Sequence, residues 1–179
     1  MKKHAVLIVD DEPNVLNSLE RTLRKMPITL LKAFNAEEGL HLLTAREVSL
    51  VISDYNMPGT NGLVFLKQVN TLYPHMLTIM LTGQAELEVA VQAINDAGVY
   101  KFILKPWNDQ ELKITLRRCL ESLDLIDERD RLLHKVKRRN CILEELERKH
   151  PGITKLERDE NGYLRLDDPI ETKRGWEAA

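Results

Sequence analysis

Four polar groups in the first 108 residues have the chemistry that phosphoryl transfer requires. They are the acidic run Asp10-Asp11-Glu12, the carboxylate of Asp54, the hydroxyl of Thr82 and the amine of Lys105. Crowded carboxylates raise each other's pKa unless a cation is present, and Mg²⁺ takes one or two carboxylates together with phosphate oxygens. A carboxylate can also attack a phosphoryl group when a metal ion and an ammonium neutralise the transferring oxygens. These residue types therefore indicate phosphoryl transfer onto Asp54.

The surrounding elements predict that these groups meet at one edge of a sheet. Short apolar runs are typical of buried strands, and they cover Ala5–Val9, Ile28–Ala33, Leu50–Ser53, Leu77–Leu81 and Tyr100–Leu104. Segments of helical period lie between them, at Asn14–Lys25, Ala36–Leu43, Gly62–Asn70 and Leu87–Asn95. This alternation predicts an α/β fold, a flavodoxin-like doubly wound (βα)5 parallel sheet with its site at the carboxyl ends of the strands.

Each polar group also has a purely structural explanation. Asp11 could cap the helix that starts near Pro13, and Asp54 could form an Asx turn at a strand exit. Thr82 could be a helix cap, and Lys105-Pro106 could be an ordinary strand end. Because all four follow the expected strands in the expected order, the functional interpretation is favoured.

The motifs resemble those of the CheY-like receiver domain of two-component response regulators. The resemblance covers roughly residues 3–122 and rests on Asp10-Asp11, the run Asp54–Gly62, Leu81-Thr82-Gly83 and Lys105-Pro106-Trp107. It implies that Asp54 is the phosphoacceptor. It also implies that Asp10, Asp11, Asp54 and the backbone carbonyl of Asn56 bind Mg²⁺ or Mn²⁺.

The same resemblance implies the roles of the neighbouring residues. Thr82 would be the switch hydroxyl, Lys105 would contact the phosphoryl group and Phe102 would be the switch aromatic. Asn56 and Gln84 would tune dephosphorylation, and the peptide bond before Pro106 would be cis. Phosphorylation would then shift a two-state equilibrium and reshape the face formed by the fourth helix, the fifth strand and the fifth helix.

Composition divides the chain into two unlike parts. The 179 residues hold 26 Lys and Arg against 28 Asp and Glu, a net charge of −2 that argues against bulk nucleic-acid binding. Charged residues make up 21 of residues 1–108 but 33 of residues 109–179, which places a boundary near Trp107–Asp109. No apolar run reaches the roughly 18 residues of a membrane span. Cys119 and Cys141 form no metal-binding or disulfide pattern, so a cytoplasmic protein is expected.

The charged part predicts a long helix and a short tail. Residues 109–150 contain no Gly or Pro and would extend over roughly 63 Å as one helix. One apolar register runs through Leu112, Leu116, Cys119, Leu123 and Ile126, and a second, out of phase, through Leu132, Val136, Arg139, Leu143 and Leu146. We interpret them as two coiled-coil segments of a homodimer. Residues 151–179 predict a short β-hairpin around Asn161-Gly162 and a tail.

These features predict a response regulator of a phosphorelay, with a receiver over 1–122 and a helix over 109–150. A sensor histidine kinase or phosphotransfer protein would phosphorylate it, and its output would be protein–protein contacts or dimerisation. It would assist its own phosphorylation and dephosphorylation without being an enzyme for an external substrate. Two alternatives remain: the receiver and linker of a larger regulator with an enzymatic or DNA-binding domain, or nucleic-acid binding by the basic run Arg129–Arg139.

Two other classes of protein fit the sequence less well. An acid phosphatase that forms an aspartyl phosphate would require a carboxylate at the position of Asn56. A flavin-binding protein of the same fold would bind a phosphate after the first strand, where Asp10-Asp11-Glu12 would repel it.

Overall fold

The computed structural model describes residues 4–83 and 98–152. The strands and helices described there follow the predicted order: β1 Ala5–Val9, α1 Pro13–Leu23, β2 Thr29–Ala33, α2 Ala36–Ala45, β3 Leu50–Asp54, α3 Gly62–Leu72, β4 Leu77–Thr82, β5 Lys101–Leu104 and α4 Asp109–Lys149. The predicted helix Leu87–Asn95, Gln84 and the predicted hairpin after Gly152 lie outside the described residues. None of the described helices combines the length and apolar character needed to cross a membrane.

The five strands form one parallel sheet in the order β2-β1-β3-β4-β5. This order is that of the flavodoxin-like doubly wound folds, so the predicted fold class is confirmed. Two strands run one residue further than predicted: β3 includes Asp54 and β4 includes Thr82. Backbone pairing within the sheet therefore fixes the position of both residues.

Helices cover both faces of the sheet, because successive strand side chains point to opposite sides. One face carries Ile8, Ile52 and Leu81 and packs against α1 and α4. The other carries Leu7, Val51 and Met80 and packs against α2 and α3. Since both faces are covered, all four residues of β1 from Val6 to Val9 are fully buried.

Helix α4 begins as part of the receiver core. Asn108 accepts hydrogen bonds from the backbone N–H groups of Gln110 and Glu111, at 2.9 and 3.2 Å, and so caps the helix. The first apolar register is buried against the sheet: Leu112, Leu116, Cys119 and Leu123. The interpretation of this register as a coiled-coil segment is therefore wrong. A receiver helix and a coiled coil show similar apolar spacing, and their sequence pattern does not distinguish them.

The chain divides into two compact units, Met1–Glu128 and Arg129–Ala179. The boundary lies about 20 residues beyond the composition break, because the charged residues of the first α4 turns cover only its outer side. Three side-chain hydrogen bonds join the start of α4 to the rest of the first unit, and one of them runs from Lys101 Nζ to the Thr115 hydroxyl at 3.1 Å. The Thr22 hydroxyl donates to Asp109 Oδ1 at 2.8 Å, and His4 Nε2 lies 3.1 Å from Asp124 Oδ1.

The two thiols are expected to differ sharply in reactivity. Cys119 is buried, and burial raises the pKa of its thiol to about 11, although nearby Lys101 lowers it in part. Cys141 is exposed. Because the thiolate is the reacting form, a disulfide reagent at pH 8 should modify one thiol quickly and the second only on unfolding. Cys141→Ser should remove the fast phase, and a fast phase that survives would contradict this placement.

Candidate functional site

Three carboxylates converge at the carboxyl edge of the sheet. Asp10 and Asp11 follow β1, and Asp54 is the last residue of β3, the strand beside β1. One ligand atom from each lies within 4.8 Å of the others, a spacing that suits a shared cation. Asp10 is fully buried and Asp54 almost so, whereas Asp11 is partly exposed. The cluster therefore opens to solvent on the side of Asp11.

Lys105 connects two of these carboxylates. Its Nζ lies 2.7 Å from Asp54 Oδ1 and 2.9 Å from Asp10 Oδ2. Lys105 directly follows β5, and its backbone N–H donates to the Thr82 carbonyl at 2.8 Å. The Lys105–Pro106 peptide bond is cis. The sequence placed Lys105 near Asp54, but its contact with Asp10 was not anticipated.

Backbone N–H groups hold the other carboxylate oxygens. The N–H of Glu12 donates to Asp10 Oδ1 at 2.9 Å, and that of Asn56 donates to Asp54 Oδ2 at 3.1 Å. The second bond is an Asx turn, so Asp54 has its structural role in addition to its contact with Lys105. The capping alternative for Asp11 is not supported, since the N-cap of α1 is Glu12 and makes no side-chain capping bond.

Burial and neighbouring charges shift the pKa values of Asp54 and Lys105. Burial raises the pKa of the Asp54 carboxyl, and the Asp10 charge adds to this, although the Lys105 hydrogen bond and charge lower it. Burial lowers the pKa of Lys105, but its bonds to Asp54 and Asp10 outweigh this, so that pKa is raised. Lys105 is therefore an ammonium at neutral pH. Three carboxylates and one ammonium leave two formal negative charges, which one divalent cation would balance.

The two residues implied as the switch lie on neighbouring strands beside this cluster. Thr82 is buried at the end of β4, and its hydroxyl donates to the Gly83 carbonyl at 3.3 Å. Phe102 lies in β5 opposite Met80 and packs, half-buried, against the core formed with α2 and α3. Within the described residues, the Thr82 hydroxyl makes no hydrogen bond to Asp54.

Gly62 is a site residue that the sequence did not identify. It is the first residue of α3, and its N–H donates to the Tyr55 carbonyl at 2.9 Å. A Cβ at this position would overlap the carbonyl oxygen of Asp54 and lie 2.7 Å from its carbonyl carbon. The sequence feature that could have indicated Gly62 is the pair Asn61-Gly62 at the start of a helix. In the structure, Asn61 caps this helix by accepting a hydrogen bond from the Val64 N–H. That signal marks a helix terminus and gives no distance to Asp54.

Comparisons with known proteins agree with this geometry. The family profile described as response regulator receiver domain matches residues 6–117. The hydrogenase transcriptional regulatory protein HoxA of Cupriavidus necator is 36% identical over 131 residues, which are 73% of this chain and 27% of that protein. The DNA-binding transcriptional regulator NtrC of Escherichia coli is 30% identical over 120 residues, 67% of this chain and 25% of that protein.

Solved structures show the same fold. The signal receiver domain of an HD domain-containing protein from Pseudomonas fluorescens Pf-5 has a TM-score of 0.66 and 37% identity, covering 69% of this chain and 98% of that chain. The chain spans about a quarter of the length of the two curated relatives, at 27% and 25%. Since the profile covers more than half of the chain and its site carboxylates converge, this chain belongs to the response regulator receiver family.

Proposed function

We propose that this receiver is switched by transfer of a phosphoryl group to Asp54 from a sensor histidine kinase or a phosphotransfer protein. The contact of the Asp54 carboxylate with the Lys105 ammonium, beside Asp10 and Asp11, carries this proposal. Acetyl phosphate with Mg²⁺ is expected to add one phosphoryl group, and peptide mapping should locate it on Asp54. A phosphoryl group on any other residue would contradict the assignment.

The chemistry follows from the arrangement of charges. An Asp54 carboxylate oxygen attacks phosphorus, the bond from phosphorus to the donor breaks, and the donor leaves with the bonding electrons. The Lys105 ammonium already touches Asp54, so it is placed to contact an oxygen of the transferred group. Lys105 is also held by its contact with Asp10, which would limit its movement during the transfer.

Asp10, Asp11 and Asp54 fit a hard divalent cation such as Mg²⁺ or Mn²⁺, with the Asn56 backbone carbonyl as a further ligand. Their oxygens lie close enough together, and their formal charge exceeds that of Lys105 by two. When bound, the cation would neutralise charge on the phosphoryl oxygens. Carboxylates also satisfy the preference of Mg²⁺ for oxygen ligands.

Removal of one of these ligands should weaken metal binding selectively. Asp11→Asn is expected to lower Mg²⁺ affinity by about tenfold or more, because it removes a charged oxygen ligand from the cluster. Glu12→Gln is the matched control, since exposed Glu12 is one residue away and outside the cluster. Calorimetric titration with Mg²⁺ would measure both. Equal losses in the two variants would show that general charge, not ligation, controls binding.

Thr82 and Phe102 are the proposed switch. Their neighbouring strands support a concerted movement in which Thr82 turns toward the phosphoryl group and Phe102 follows. Asn56 and Gln84 are proposed to tune dephosphorylation.

We propose that phosphorylation and dephosphorylation of Asp54 take place in the cytoplasm, where histidine kinases supply the phosphoryl group. We assign the chain no catalysis on an external substrate.

We further propose that the output includes homodimerisation through the helix of residues 109–150, with its contact in the exposed second register. Leu143→Glu should abolish dimers seen by light scattering, because it places a charge on the apolar stripe. Cys141→Glu is the control, since it introduces the same charge on the same helix away from the stripe. Wild-type chain that is monomeric with and without a phosphoryl mimic would overturn the dimer.

A second candidate is that these residues are the receiver and linker of a longer regulator. It is favoured by the extent of the matches, which cover only 27% and 25% of the transcriptional regulators HoxA and NtrC. The length of the reading frame would decide it. If the frame continues into an enzymatic or DNA-binding domain, the activity of that domain would be the final output in place of dimerisation. The proposed phosphorylation of Asp54 would be unchanged.

A further inference from the structure

Ser53 is a polar residue in an otherwise apolar layer of the sheet. It lies in β3, opposite Val9 of β1 and Met80 of β4, on the face that packs against α2 and α3. All three residues are fully buried. Because a buried hydroxyl needs a hydrogen-bond partner, the group that Ser53 contacts indicates what its hydroxyl contributes.

The Ser53 hydroxyl donates to the backbone carbonyl of the next residue, Asp54, at 3.0 Å. The start of α3 closely approaches the same carbonyl oxygen. A Cβ added to Gly62 would lie 1.7 Å from that oxygen and 3.1 Å from Ser53 Oγ. This close approach favours a small residue at position 53, and alanine would satisfy it as well as serine. Packing therefore explains the size of Ser53 but not its hydroxyl.

The bonded carbonyl belongs to the peptide unit that leads from Asp54 into the loop before α3. At the other end of this unit, the Tyr55 N–H donates to the Leu81 carbonyl at 2.8 Å. A peptide unit is planar and nearly rigid, so the two hydrogen bonds hold its orientation from both ends. Without the Ser53 hydroxyl, only the bond from Tyr55 to β4 would remain of these two.

The orientation of this peptide unit bears on the Asp54 carboxylate. Its Oδ2 accepts a hydrogen bond at 3.1 Å from the N–H of Asn56, which lies one peptide unit further along the same turn. Its Oδ1 lies 2.7 Å from Lys105 Nζ. Rotation of the Asp54–Tyr55 unit would displace the Asn56 N–H from Oδ2 and leave the carboxylate less firmly held. A reacting group that is misplaced by even 1 Å can lose about 10²-fold in rate.

We propose that Ser53 is a positioning residue for phosphoryl transfer, because its hydroxyl holds the backbone of Asp54 in the orientation that aligns the carboxylate for attack on phosphorus. Ser53 acts through Asp54 and takes no part in the bonds that form and break. This inference rests on the proposed function, since it requires Asp54 to be the nucleophile. It adds a residue whose hydroxyl faces the α3 side of the sheet and whose effect on the carboxylate passes through the backbone.

Two variants of the full chain, Ser53→Ala and Ser53→Cys, test the hydroxyl separately from the volume of the side chain. Alanine removes the hydrogen bond and leaves a small space, whereas cysteine fills that space and is only a weak donor. Thr78→Val is the matched control, because Thr78 is equally buried and its hydroxyl bonds to Asn70 near the amino end of β4, away from Asp54. Labelling by acetyl phosphate at saturating Mg²⁺ is followed by mass spectrometry, and thermal unfolding is recorded for each variant.

Rates are compared well below each melting temperature, where loss of stability alone leaves the chain folded and the rate unchanged. Both Ser53 variants should be labelled about tenfold more slowly than wild type, a smaller loss than for a 1 Å displacement, and Thr78→Val should keep the wild-type rate. A wild-type rate in both Ser53 variants, or in Ser53→Cys alone, would overturn the positioning role and leave phosphorylation of Asp54 intact. An equal loss in Thr78→Val would also overturn it. If wild-type chain is not labelled on Asp54, the proposed function fails and this inference fails with it.

Discussion

Asp54→Asn is expected to abolish labelling by acetyl phosphate while the receiver stays folded. The amide keeps nearly the shape of the carboxylate but is not a nucleophile for phosphorus. Lys105 would keep its 2.9 Å contact with Asp10, so the substitution leaves no unpaired buried ammonium. The free energy of unfolding should therefore fall by about 1.5–3 kcal/mol, the range for loss of a charged hydrogen bond. Labelling is followed by mass spectrometry, and folding by circular dichroism during thermal unfolding.

The control for this variant is Glu12→Gln, which removes a carboxylate near the site but outside the convergent cluster. It should label at close to the wild-type rate. If Asp54→Asn still accepts a phosphoryl group, another residue is the acceptor and the proposed function fails. If it loses labelling only because it unfolds, the melting curve will show this directly.

Gly62→Ala should damage the fold and the site together. Its Cβ would overlap the Asp54 carbonyl, and the Ser53 hydroxyl would lie only 3.1 Å away. The obstacle is backbone, so no flexible side chain can move aside. Overpacking of this kind typically costs about 1–3 kcal/mol, and the strain acts directly on the residue that we propose as the nucleophile. A displacement of about 1 Å at a reacting group can lower a rate by about 10²-fold.

Gly59→Ala is the control for this steric effect. It also replaces a glycine between β3 and α3 by alanine, but at a position where the added Cβ meets no other atom. Gly59 has φ +82° and nothing within 4 Å of an added Cβ, so alanine there should cost about 1 kcal/mol of backbone strain. Denaturant unfolding and the rate of labelling would be measured for both variants. Wild-type stability and rate in Gly62→Ala would contradict the close approach of α3 to Asp54.

Much of the fold could be predicted from local patterns. Apolar runs located the five strands to within about one residue, because strands buried on both faces are apolar at nearly every position. The rule that parallel strands share a carboxyl edge then predicted that Asp10, Asp11 and Asp54 converge. The strand order was not predictable from periodicity, which carries no information on which strands are neighbours.

The features that could not be predicted depend on distances between remote segments. The contact of Lys105 with Asp10 joins residues 95 positions apart, and the closeness of Gly62 to Asp54 arises from how the loop returns to β3. The two registers of α4 are a related case. Leu116 and Leu143 occupy similar patterns, yet one is fully buried in the core and the other is 38% exposed. Apolar spacing along a helix shows which side chains share one side. It does not show whether that side packs against the sheet of the same receiver or stays exposed.

The position of α4 in the core also sets the order of events during synthesis. This helix is made last among the receiver elements, yet it covers the sheet face that carries Ile8 and Ile52, and it is joined to His4 through Asp124. Helix α1 covers part of that face, but the part under α4 remains uncovered on the ribosome until the chain has been made through Leu123, so a nascent chain shorter than this presents an apolar surface to chaperones. An expressed fragment that stopped at residue 117, where the family profile ends, would carry the same defect permanently.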